Sequence, residues 1–155
     1  MLIEPIGHVS SSRTEPLDDD WAAVVATVAL DPQRFSTAAL LGLEEFSHVE
    51  VVFAFDQVGV DEIETGSRHP RGNLDWPVVG IFAQRAKMRP NRLGVSVCRL
   101  LHVEGLELTV EALDAIDGTP VFDIKPYMAE FGPRGPVHQP TWSHELMSGY
   151  WEAPR

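Results

Sequence analysis

The chain has 155 residues, of which 44% are hydrophobic and 23% charged, and a formal net charge of −11. That size and mix fit one globular domain with a real core and exclude a disordered or fibrous chain. A single cysteine, Cys98, excludes an internal disulfide and a cysteine-rich zinc site; no basic leader precedes a long apolar run, and none is of membrane length, so a cytoplasmic protein is expected.

In chain order, β-branched runs bounded by turn residues predict strands over 3–10, 22–30, 48–56, 78–84, 94–103, 106–113 and 120–124. FSTAALLGLEEF predicts a short helix, with Ser36 or Thr37 as its cap and Gly42 at its end. VEVVFAF, nearly all apolar, predicts a strand covered on both faces. LELTVEAL is the clearest half-buried strand: Leu106, Leu108 and Val110 point one way, Glu107, Thr109 and Glu111 the other. Glu104-Gly105 predicts a tight reversal that makes 94–113 a hairpin. FGPRGPVHQP predicts an extended surface arm and HELMSGYW a second short helical turn. Seven strands and little helix give an all-β sandwich or barrel; there is no β-α alternation and no G-x-G-x-x-G turn, so a Rossmann fold is excluded.

Charge is unevenly placed. Residues 1–67 hold two basic and thirteen acidic groups, 68–99 seven basic and one acidic, and 100–155 three basic and nine acidic. An acidic chain repels nucleic acid at long range, so any polyanion must dock on 68–99. Two loops carry this charge: SRHPRGN, with Arg68 and Arg71, and RAKMRPN-R, with Lys87, Arg89 and Arg92 around a φ-fixing Pro90. Each reads equally as a solvated turn. Together they are suited to cradle a carboxylate or phosphate through bidentate guanidinium contacts. Carboxylates stand at predicted strand ends: Asp56, beside Gln57, after VFAF, and Asp114 after LELTVEAL. Such groups accept hydrogen bonds from a diol or amine, or merely terminate a sheet. The six histidines show no metal-ligand spacing, and no nucleophile elbow or phosphate loop is present, so no metal is expected.

GLEEFSHVEVVFAFDQ, SRHPRGN, VGIFAQRAKMRPNRLGVSV and LDAIDGTPVFDIKPY occur in this order and resemble the signature blocks of the TsaA-like (YaeB/TrmO) family over roughly residues 3–127. The resemblance implies a single-sheeted, non-Rossmann β-barrel over 1–130 with a Pro/Gly-rich arm over 131–155. It implies S-adenosylmethionine as cofactor, a homodimer with the pocket near the subunit interface, and methylation of the exocyclic nitrogen of threonylcarbamoyl-adenosine beside the tRNA anticodon. By block, cofactor contacts are expected from Asp56, Gln57, Arg85, Val95, Glu111, Ala112, Leu113 and Asp114, with an N-terminal contribution from Asp20 and Trp21. Arg85 suits the methionine carboxylate, Asp114 or Asp56 the ribose or amino group, and Val95 and Leu113 the adenine face. Arg68, Arg71, Lys87, Arg89 and Arg92 are expected to meet substrate phosphates; no residue is singled out as a general base. The chain departs from the family's R-P-N-P-x-G at Arg92, is expected to lack the additional C-terminal domain of longer members, and is acidic. A branch with a small-molecule or other nucleotide acceptor, or a non-catalytic module that binds the same cofactor, is therefore the alternative.

Overall fold

The structure is a computed structural model that describes residues 1–152. Six antiparallel strands close into a barrel in the order β1-β2-β7-β6-β3-β8, with β8 returning to β1. They are β1 (Gly7–Ser11), β2 (Val25–Leu30), β3 (His48–Ala54), β6 (Leu93–Glu104), β7 (Glu107–Glu111) and β8 (Pro120–Pro126). Two short strands, β4 (Ser67–Arg68) and β5 (Val79–Gly80), pair outside it. The expected all-β barrel is thus the fold.

Period-two alternation decides the inside. Ala26, Val28 and Leu30 of β2, Val49, Val51 and Phe53 of β3, and Leu108 and Val110 of β7 fill the barrel with Val9, Cys98, Leu113 and Val121. At roughly 25 cal/mol per Å² of apolar surface, this burial is the main term that holds the strands together. The predicted hairpin is present: β6 and β7 pair from Glu104 opposite Glu107 across the Gly105-Leu106 turn. Leu101 is the extra residue of a bulge in that ladder and is exposed.

Four expectations need correction. The predicted helix over FSTAALLGLEEF is two 3-10 turns, Thr37–Leu40 and Leu43–Glu45. Gly42 separates them at φ 83°, a left-handed conformation that favours glycine, and Ser36 makes no side-chain cap. The predicted strand over 78–84 does not join the barrel; only Val79–Gly80 pairs, with β4, and the chain then turns through Ile81–Ala83. VEVVFAF is not covered on both faces, because a closed barrel gives each strand one core face; alternate residues such as Val52 stay half-exposed. The first two strands begin later than predicted, at Gly7 and Val25.

The connectivity sorts the loops. β3, β7 and β1 end, and β6, β2 and β8 begin, at the same rim. The loops bearing Asp20, Asp56, Arg85–Arg92 and Ala112–Asp114 therefore crowd that end of the barrel. Residues 132–140 carry no regular structure, and the chain returns in helix α1 (Thr141–Met147). Among the described residues no helix is long and apolar enough to cross a membrane, and no group of three or more His, Cys, Asp or Glu could hold a metal. The last three residues of the expected arm lie outside the described residues.

Candidate active site

Arg85 and Asp114 flank the start of β6. The Arg85 Nη2 donates to the Val95 carbonyl at 2.6 Å, and the next residue, Ser96, donates its hydroxyl to Asp114 Oδ1. Val95 is exposed, whereas Ser96 faces inward with Gly94 and Cys98. Tyr150, from the segment after α1, donates its hydroxyl to the other oxygen of Asp114. Burial, and then the negative Asp114, hold the Tyr150 phenol far above its ordinary range; Arg85 and Arg71 pull it the other way. Arg85, Arg71, Asp114 and Tyr150 thus act on one another at a single rim.

The remaining expected contacts fall on this rim with different freedom. Asp56 and Gln57 sit exposed in the turn after β3. Glu111 points outward and pairs with Arg99 at 3.2 Å across the β6–β7 ladder. Leu113 is fully buried in the core, which leaves only its backbone for a ligand. Trp21 is buried beneath the Arg13 guanidinium, which stands 4.0 Å from the ring centroid. Arg13 also donates to the carbonyls of Leu17, Asp19 and Asp20, knotting the loop before β2.

Among the described residues, the four non-glycine residues at positive φ are Asp20, Arg71, Arg92 and Ala112, at 65°, 51°, 51° and 64°. All four belong to the residues singled out by sequence. Such backbone is sparsely populated and gathers where surrounding structure fixes it, commonly at functional sites.

The basic loops are more occupied than their sequence implies. Arg71 forms a two-pronged ion pair with Asp19 at 2.8 and 3.1 Å, and Asp18 lies 3.9 Å from both Arg71 and Lys87. Arg68 reaches the Met88 sulfur at 2.9 Å, and its buried Nε has no partner. Arg89 donates to the Gln84 carbonyl at 2.9 Å and Arg92 to the Val58 carbonyl at 2.7 Å, so each spends one donor on holding its loop. The Arg92 backbone N–H also donates to the Arg89 carbonyl at 2.9 Å. A proline at position 92 could supply neither that N–H nor φ 51°, so the departure from R-P-N-P-x-G changes the turn itself.

Sequence reasoning missed Ser96, Tyr150 and Arg13. Ser96 had a signal, a hydroxyl on the inward face of an alternating strand. Arg13 is the lone basic residue of an acidic stretch. Tyr150 had none, because its partner lies 36 residues away.

Cys98 is buried, and its thiol is pushed up to about 12 by burial and by Asp114. It is a core residue rather than a nucleophile. Both Cys98 and Tyr150 bind their protons more tightly folded than unfolded. Their contribution to stability is therefore complete below pH ~8, where the unfolded groups are also protonated, and falls as the pH rises through the unfolded toward the folded values. Chemical denaturation from pH 8 to 11 is expected to show falling stability, with a shallower fall in Cys98→Ala.

Two hollows of about 330 and 410 Å³ open at the opposite rim, the first beside Pro5, Gly7 and Asp31, the second among Phe35, Leu43, Phe46 and Ile124. Neither is lined by Arg85 or Asp114, which lie at the other end of the barrel.

The sequence model of the tRNA-methyltransferase O N-terminal domain matches residues 10–132. The chain belongs to that family. It is 42% identical over 133 residues to a putative S-adenosylmethionine-dependent methyltransferase, RcsF, of Pseudomonas aeruginosa, covering 81% of this chain and 54% of that protein. It is 42% identical over 138 residues to the mouse tRNA (adenine(37)-N6)-methyltransferase, covering 84% of this chain and 32% of the relative. A crystal structure of TrmO from P. aeruginosa superposes with a TM-score of 0.73 at 31% identity, over 92% of this chain and 61% of that one. The chain thus spans about half or less of the length of these two curated relatives. The matched span holds every candidate residue except Tyr150, which lies beyond it.

Proposed function

We propose that this TrmO-family domain binds S-adenosylmethionine at the rim and transfers its methyl group to the exocyclic nitrogen of threonylcarbamoyl-adenosine beside the anticodon of a tRNA. The observation that carries the reading is the placement of Arg85 and Asp114 on either side of Val95-Ser96. The donor set suits the cofactor. Arg85 is exposed and spends one N–H on Val95, so its other donors can take an amino-acid carboxylate. Asp114 is fixed by two hydroxyls and has lone pairs left for a ribose diol. Exposed Val95 offers an apolar surface for a base, and Asp56 and Asp114 place negative charge at the rim where a sulfonium would be favoured.

When bound, S-adenosylmethionine supplies an activated methyl group. The chain's part is to hold the acceptor in line and exclude water, for which positioning contributes up to ~7–11 kcal/mol in favourable cases. Lys87, Arg71, Arg68, Arg89 and Arg92 supply positive charge for the RNA backbone. Asp19 and Asp18 occupy Arg71, and Asp18 also approaches Lys87, so an RNA phosphate would have to displace them. Exposed Val95, Val97 and Leu101 along the outer face of β6 support pairing of two copies beside the site. The tRNA reading also implies a cytoplasmic protein.

Labelled methyl transfer from S-adenosylmethionine to bulk tRNA from a strain lacking this protein, followed by nucleoside analysis, tests the reaction. Label in methylated threonylcarbamoyl-adenosine is expected. Label in another nucleoside or a small molecule would move the acceptor, and cofactor binding without any labelled product would make the domain a sensor. Arg85→Ala is expected to weaken cofactor binding by ~1.5–3 kcal/mol, the worth of a charged hydrogen bond. Unchanged affinity by calorimetry would remove Arg85 from the site.

A further inference from the structure

The segment that follows the barrel lies against the proposed site. The Trp76 indole N–H donates to Glu145 of α1 at 2.7 Å, and the Trp76 and Trp142 rings lie 6.5 Å apart. Beyond α1 the backbone pairs with the strained loop before β2: Asp20 N–H donates to the Gly149 carbonyl at 3.2 Å and Trp21 N–H to the Tyr150 carbonyl at 2.9 Å. The Tyr150 hydroxyl then reaches Asp114. We propose that residues 141–150 form a latch over the methyl-donor site, and that Tyr150 is the positioning residue through which the latch sets the Asp114 carboxylate for its ligand.

This inference rests on the reading of the rim as an S-adenosylmethionine site. Three observations carry it. Ser96 and Tyr150 each donate to a different oxygen of Asp114, which fixes the carboxylate plane and leaves the remaining lone pairs directed elsewhere. A tyrosine phenol is protonated at ordinary pH, and burial beside Asp114 only reinforces this, so Tyr150 serves as a standing donor. The latch has little of its own to hold it closed. The helix is seven residues with none buried, too short to be stable alone, and an exposed tether, residues 133–140, precedes it. Its closure depends on contacts to Asp20, Trp21, Trp76 and Asp114. A ligand that prefers the fixed carboxylate must therefore favour the closed latch, and a closed latch must favour the ligand by the same factor.

The test uses the full chain with S-adenosylmethionine and S-adenosylhomocysteine as probes. Calorimetry gives affinity, and amide exchange at Asp20 and Trp21 reports latch closure. All four tryptophans lie on the latch or against it, so intrinsic fluorescence follows the same motion. In wild type, ligand should slow exchange at both amides. Tyr150→Phe should bind about tenfold more weakly and lose that protection even at saturating ligand. Ser96→Ala should also bind more weakly yet keep it, because the latch remains tied to Asp114. Trp142→Ala, which loosens the latch far from the carboxylate, should weaken binding several-fold and serves if Tyr150→Phe does not fold. Affinity within twofold of wild type in Tyr150→Phe, or in Trp142→Ala where that variant serves, would overturn the latch and leave the cofactor site standing. Tighter binding would make the segment a blocker and overturn it equally. Failure of wild type to bind either probe would remove the cofactor site and the latch together.

Discussion

Asp114→Ala is expected to reduce affinity for S-adenosylmethionine by at least a hundredfold. The carboxylate is proposed to accept from a ribose diol, and each charged hydrogen bond is worth ~1.5–3 kcal/mol. The substitution does more than delete an acceptor. Ser96, which is buried, and Tyr150 both lose the group they donate to, and an unpaired buried hydroxyl costs ~1–3 kcal/mol. The variant should therefore be less stable as well as weaker in binding. Asp114→Asn separates the two effects: the amide retains one oxygen acceptor and the shape but loses the charge. One of the two hydroxyls must then turn to accept from the amide NH2, so the variant should lose less stability than Asp114→Ala, bind more weakly, and lower the Cys98 and Tyr150 ionisations, both of which Asp114 raises. Calorimetry with a thiol-reactivity titration of Cys98 measures both. Wild-type affinity in Asp114→Ala would mean that Asp114 does not contact the ligand.

How far the sequence could be read depended on whether the information was local. LELTVEAL announced β7 because its alternation is the pleat itself, and Glu104-Gly105 announced the turn that pairs it with β6. The run over 78–84 was equally apolar, but whether it enters a sheet depends on a partner, and among the described residues its strand partner is the two-residue β4. Gly42 was correctly read as a break, although the segments it separates are 3-10 turns; their few residues never reach the length at which an α-helix is favoured.

The site divides in the same way. The charges of Arg71, Lys87, Arg89 and Arg92 were visible, but not that Asp19, Asp18, Gln84 and Val58 meet them. A guanidinium on a loop looks alike in sequence whether it awaits a phosphate or holds its own backbone. The strand-end position of Asp114 was legible because strand ends follow from periodicity. Its two hydroxyl donors were not: one comes from 18 residues before it and the other from 36 after. The resemblance to TrmO proteins gathered Asp56, Arg85, Val95 and Asp114 in advance; the barrel topology brings their loops to one rim.

Gly94→Val should be among the most damaging single changes to the barrel. Gly94 is the glycine of RPN-x-x-G, and its role is close approach. It pairs with Phe53 across the β3–β6 ladder, and a Cβ at this position would stand 2.5 Å from Cε2 and Cζ of that ring. Phe53 has no room to yield. It is 1% exposed, and its ring meets Phe55 edge-on at 5.4 Å between centroids. Overpacking of a filled core costs ~1–3 kcal/mol and occasionally more, and a β-branched side chain belongs at the upper end. For a chain of this size, ~3 kcal/mol corresponds to a fall of roughly 6–12 °C in the thermal midpoint. The strain should also reach the site, since the following carbonyl, Val95, is the one that Arg85 holds. Gly94→Val is thus expected to lose cofactor affinity beyond what its lower stability explains, and Phe53→Leu in the same chain should restore part of both by making space for the new side chain. Thermal unfolding and calorimetry on the single and double variants read the two effects. A Gly94→Val protein that melts with wild type would mean that the Phe53 ring does not pack over this glycine in solution.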